Sequence, residues 1–144
     1  MKIQEKSKGS VSVLMTQERP GSTAQGPQHV MMKLQIYNTS PHFGKGIVSI
    51  MMLVRQGSSL RAACAQIVRE GLSYSKAWRL LKSAEADLGI PLLDTQKGGT
   101  KRAGSTLTPQ GEELLDRYLA FEKEAREAVF AAFEKHFKAD DAFQ

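Results

Sequence analysis

Two serine-capped helical segments separated by a glycine turn constrain this chain more than any other feature. Ser58 and Ser59 precede a run in which Leu60, Ala63, Cys64 and Ile67 recur at helical spacing, and serine is a preferred N-cap ahead of such a run. That helix is expected to stop at Gly71. Ser73 then caps a second one that extends through Leu88 to Gly89, the residue type that most often ends a helix. With only Gly71 and Leu72 in between, the two helices are joined by a tight turn. At about 100° per residue, Ala77, Leu81, Ala84 and Leu88 fall in one narrow arc, the face to be buried. Ser75, Arg79, Lys82 and Ala86 point the opposite way, with Glu85 and Asp87 on the flanks.

The neighbouring segments extend the pattern. Upstream, the run IVSIMMLVRQ after Phe43-Gly44-Lys45-Gly46 is apolar almost all round; its length and the following Gly57 predict a buried helix. Before it, Met32, Leu34 and Ile36 alternate with Lys33, Gln35 and Tyr37, which predicts a one-face-buried strand over 32–37, ended by Asn38-Thr39-Ser40-Pro41. Residues 1–30, with breakers at Arg19-Pro20-Gly21-Ser22 and Gln25-Gly26-Pro27, read as a flexible tail. Downstream, residues 90–95 and 105–108 have an extended look, and QKGGTKRAG between them makes a hairpin with a basic tip. Thr108 caps a last helix over 109–138 with Pro109 at N1, and 139–144 fray. On that helix Leu114, Tyr118, Phe121, Ala125, Ala128 and Ala132 recur at steps of four and three. Val129 and Phe133, with Phe130 and Phe137, widen the stripe. One helix cannot bury so wide a stripe on so small a body, so a second copy is expected against it.

Charge follows the same division. Residues 43–108 hold ten basic and four acidic groups, whereas residues 109–144 hold five and nine. The middle is expected to face a polyanion and the last helix not to. The fold class expected is therefore mainly α with a small β component: a winged helix-turn-helix over 31–138 with a long C-terminal dimerisation helix. On DNA, Arg79 has the fork for guanine, and Lys82 and Lys76 reach a base or a phosphate. Ser73, Tyr74 and Ser75 surround one helix start, and Ser58 and Ser59 the other, as phosphate neighbours. Lys97, Lys101 and Arg102 form the basic wing tip.

These residues also resemble a known family. The stretch from Ser59 to Thr108 resembles the N-terminal DNA-binding domain of molybdate-dependent (ModE-type) transcriptional regulators, relatives of the LysR-type winged helix. The resemblance rests on Ser59, Ala62 and Ala63, Gly71, Ser73-Tyr74, Ala77-Trp78 and Leu81. It continues through Leu88-Gly89, Pro91-Leu92, Gly98-Gly99, Leu107-Thr108 and Gly111, and Phe43-Gly44-Lys45-Gly46 is similar to the family's domain entrance. It implies a dimeric DNA-binding regulator. Val68-Arg69-Glu70 is extra relative to the family spacing and implies a longer second helix or turn. The wing has fewer glycines than the family pattern and carries Thr100-Lys101-Arg102 at its tip. The resemblance does not reach the domains with which full-length regulators bind molybdate, so it implies no molybdate sensing.

Other functions are less well supported by the residues. There is no phosphate-binding glycine loop, nucleophile–base pair or paired carboxylate, so no enzyme and no cofactor are expected. His29, His42 and His136 lack metal-ligand spacing. Cys64, the single cysteine, is expected to be a buried, inert thiol, and Trp78 to pack at the core margin. A reducing cytoplasm is the expected compartment, on the one cysteine and on the start MKIQEKSKGS, which has no apolar core. No run is long and apolar enough for a membrane span. Two alternatives stand beside DNA: a winged helix used for protein contact, and a regulator with a small oxyanion at the dimer interface.

Overall fold

A computed structural model of the chain describes residues 15–16, 26–67, 73–95 and 105–137. In chain order the elements are β1 (Met15–Thr16), β2 (His29–Val30), α1 (Lys45–Arg55), α2 (Leu60–Gln66), α3 (Tyr74–Leu88), β3 (Leu93–Thr95), β4 (Ser105–Leu107) and α4 (Pro109–His136). The chain is mainly helical with small antiparallel pairings, as its sequence patterns predict. β1 pairs with β2, and β3 with β4 in the register Leu93↔Leu107, Asp94↔Thr106, Thr95↔Ser105.

The centre of the molecule is α1. Ile47, Val48, Ile50, Met51 and Val54 are all buried, because a helix apolar all round is stable only with protein on every side. It touches α2, α3, α4 and β4. Each large side chain buried there contributes roughly 1.5–3 kcal/mol over its exposed state. Gly57 ends the helix at φ +110°, a left-handed conformation that glycine adopts without a Cβ penalty. Its N–H donates to Val54 O at 2.9 Å, and Ser58 N donates to Leu53 O at 3.0 Å. Arg55 in the last turn reaches Asp116 at 2.7 Å and Glu112 at 3.5 Å, tying α1 to the start of α4. The bond to Asp116, with the charge of that carboxylate, raises the guanidinium pKa above its ordinary value.

Three expectations change. Residues 32–37 do alternate half-buried and exposed, but they form no strand; Ile36 alone bridges, to Phe43. A strand needs a neighbouring edge, and Leu34 O instead accepts the Tyr118 hydroxyl at 3.0 Å. β1 and β2 fall inside the segment read as tail over 1–30. Finally α2 ends at Gln66, with Ile67 as C-cap, short of Gly71. Gly71, Val68-Arg69-Glu70, the wing-tip residues Gly98, Gly99, Lys97, Lys101 and Arg102, and residues 138–144 lie outside the described residues.

Candidate functional site

The site is built on α3, whose two sides have different jobs. Ala77, Leu81 and Ala84 are buried at 1% exposure or less, so they seat the helix on α1 and α2. Ser75, Arg79, Lys82 and Ala86 are exposed on the other side, and Lys76 is exposed on the flank. Trp78 and Leu88 are half-buried and pack at the core margin. The helix begins at Ser73, whose Oγ accepts from Lys76 N at 3.2 Å, and ends at Gly89 in the left-handed conformation, φ +74°. Ser59 caps α2 in the same way, accepting from Ala62 N at 3.0 Å. Both cap oxygens are therefore engaged within the chain, while each hydroxyl keeps a proton to donate. Ser58, half-buried, accepts from Gln66 Nε2 at 3.4 Å.

The exposed cations differ in how they are held. Arg79 and Lys76 have no carboxylate partner among the described residues. Lys82 lies 4.8 Å above the Trp78 ring and 3.3 Å from Glu85 Oε1, so its ammonium is drawn along its own helix. Pattern reading missed Arg61: its guanidinium lies 4.2 Å above the Tyr74 ring, linking α2 to the start of α3. The only signal available was its place beside a cap in a short helix.

Two acidic residues read as flanks prove to be clamps. Glu85 Oε2 accepts from Leu92 N at 2.6 Å and Leu93 N at 3.2 Å, fixing the start of the β3–β4 hairpin against α3. Asp87 accepts from Asn38 N, Thr39 N and Ser40 N at 2.6, 2.8 and 3.0 Å. These donors, Asn38 first, hold its carboxyl below the ordinary range. Thr108 then locks the hairpin to α4. Its N–H donates to Leu92 O at 3.0 Å, its hydroxyl donates to Pro91 O at 2.6 Å, and its Oγ accepts from Gly111 N at 2.9 Å. Glu85 thus ties the start of β3 to α3, and Thr108 ties the same start to the beginning of α4.

Along α4 the stripe expected to meet a second copy divides. Tyr118 belongs to the subunit's own core: it is 3% exposed and stacks edge-on against Phe43 at 5.5 Å. Burial pushes its phenol pKa up, and Glu122 adds to the shift. Leu114 packs at the core margin, and Phe133 is buried with its ring 5.2 Å from that of Phe137. Phe121 is 50% exposed, Ala128 and Ala132 are exposed, and Ala125 and Val129 are half-buried. Those five remain as an open strip beside the buried Glu122, which pairs with Arg126.

Cys64 is buried, and burial raises its thiol pKa against a smaller opposing effect of Arg61. Among the described residues no group of three His, Cys, Asp or Glu side chains is placed to hold a metal ion. None of the described helices is long and apolar enough to cross a membrane.

No family model matches the chain. It is similar to the molybdenum-pterin-binding protein MopB of Rhodobacter capsulatus, at 30% identity over 104 residues that make up 72% of this chain. The same residues span 37% of the relative's length, so the similarity relates the chain to part of a molybdenum-related protein.

Proposed function

We propose that this chain is a sequence-specific DNA-binding transcriptional regulator acting as a homodimer, a binding protein of the cytoplasm with no catalytic step. In this reading α2 and α3 form the helix-turn-helix, α3 enters the major groove, and the β3–β4 hairpin is the wing. The observation that carries it is the division of α3: Ala77, Leu81 and Ala84 are buried while Ser75, Arg79 and Lys82 stand exposed on the opposite side, with Lys76 exposed on the flank. A helix presented that way fits the groove, where a guanidinium recognises guanine and ammonium groups meet phosphates. The bonds of Glu85 support the reading, because they hold the start of β3 beside that helix. The open strip at Phe121, Ala125, Ala128, Val129 and Ala132 is assigned to the second subunit.

Selection of bound fragments from a random duplex pool tests the reading. The expected product is an inverted repeat with half-sites about 10 base pairs apart, or a multiple of that spacing, as two-fold symmetry requires. Affinity should fall steeply with salt. Failure to retard random genomic fragments at low salt would instead favour the protein-contact use of the same fold. The similarity to a molybdenum-pterin-binding protein favours a second reading, in which an oxyanion also binds between the two subunits. Calorimetry with molybdate, tungstate and sulfate decides it: heat from the first two alone supports the reading, and none from any of the three rejects it.

A further inference from the structure

The contact between Arg61 and Tyr74 differs from the other arginine contacts among the described residues. Arg55, Arg117 and Arg126 each face a carboxylate. Arg61 has no carboxylate partner among the described residues, and its guanidinium instead covers an aromatic ring at 4.2 Å. Both side chains are exposed, Tyr74 at 37%. Leu60, Ala63 and Cys64 bury the other side of α2, so Arg61 is held outward.

A guanidinium held over a ring face by a cation–π contact spends no carboxylate or carbonyl acceptor there, so N–H donors remain for another partner. A planar fork presented that way matches two phosphate oxygens. The ring also restrains a side chain that otherwise keeps much rotamer freedom, so less freedom is lost when a partner binds. In a helix-turn-helix the first helix crosses the sugar–phosphate backbone, while the second reads bases. Arg61 sits on the first.

We infer that Arg61 is a DNA-phosphate contact and that Tyr74 is its positioning residue, acting through its ring and not through its hydroxyl. This rests on the DNA-binding reading above. It reassigns Tyr74 from a direct contact to a support.

The test uses the full chain, a selected site and a random duplex, with affinity read by fluorescence anisotropy over a salt series. Arg61→Ala should weaken both duplexes by a similar factor, about tenfold, and reduce the salt slope by about 1. Tyr74→Phe keeps the ring and should bind within about twofold of the parent. Tyr74→Ala should lose several-fold, and the Arg61→Ala, Tyr74→Ala pair should be no weaker than Arg61→Ala alone. Unchanged binding by Arg61→Ala while the parent binds overturns the inference and leaves the DNA reading standing. So does a loss confined to the selected site, which marks a base contact, or a Tyr74→Phe loss as large as that of Arg61→Ala. If the parent retains neither duplex at low salt, the DNA reading itself fails and the inference falls with it. Thermal melts of each variant within a few degrees of the parent confirm that folding is not what is read.

Discussion

Replacing Gly111 by alanine sets two effects of opposite sign against each other. Gly111 lies in the first turn of α4, where alanine gains at most about 1 kcal/mol of helix propensity. Against that, a Cβ at this position would lie 2.5 Å from Leu92 O and 3.1 Å from Thr108 Oγ. The first neighbour is backbone and cannot rotate away. Regaining an ordinary contact of 3.4 Å from 2.5 Å requires a displacement of about 0.9 Å between α4 and the segment before β3. The bond from Thr108 N to Leu92 O is 3.0 Å long, so most of that displacement would break it, and the hydroxyl bond to Pro91 O would stretch with it. Each such bond is worth about 1 kcal/mol net, and overpacking of this kind typically costs about 1–3 kcal/mol. After the propensity gain, Gly111→Ala should destabilise the fold by roughly 1–2 kcal/mol. For a domain of this size that is a fall in Tm of roughly 3–8 °C. Urea unfolding followed by circular dichroism, with the slope unchanged, reads the same quantity as a shift in midpoint. A variant as stable as the parent, or more stable, would refute the packing of α4 on Leu92.

Three further outcomes follow, the first from the proposed function and the others from Asp87 and Phe121. Arg79→Ala should cost roughly 1–3 kcal/mol of DNA affinity and relax one base position, whereas Lys101→Ala should weaken all sequences evenly; equal losses on every sequence for both would contradict these roles. Asp87 has its folded pKa lowered below the ordinary 3.8, so its contribution is complete above that value and is lost as pH falls through the lowered one. Asp87→Asn should therefore flatten the loss of stability as pH falls below the ordinary 3.8, and acid unfolding curves that run parallel would contradict the clamp. Phe121→Glu should turn a dimer into a monomer in sedimentation velocity, since burying an unpaired charge in the strip is costly; a dimer of undiminished strength would move the interface elsewhere.

Much of the local architecture was legible from short-range chemistry. Ser59, Ser73 and Thr108 were readable as caps because a hydroxyl finds its N–H three residues on, and each does so. The buried arc Ala77, Leu81, Ala84 follows from helical spacing, and the pairing of 93–95 with 105–107 from two short extended runs. Less legible was anything that needs a partner far away along the chain. Alternation over 32–37 correctly foretold which side chains turn inward, yet among the described residues Ile36 alone bridges, to Phe43, and the segment is not a strand. Tyr118 shares the spacing of Phe121 and Ala125, but its ring meets Phe43 and its hydroxyl meets Leu34 O, so it packs within the subunit.

The sequence by itself determined where helices begin, where α1 and α3 end, and which face of each is apolar, because caps, glycine stops and periodicity act over three or four residues; the end of α2 at Gln66 it did not give. Tertiary structure alone decided what the charges do. Arg55 braces α4, Glu85 and Asp87 hold backbone from other elements, and Arg61 rests on Tyr74, while Arg79 and Lys76 are left facing outward without a described carboxylate partner. A charge is drawn to whichever opposite charge, N–H or ring the packed chain brings within a few ångströms. That proximity is set by how helices cross, and it leaves no mark in the spacing of residues.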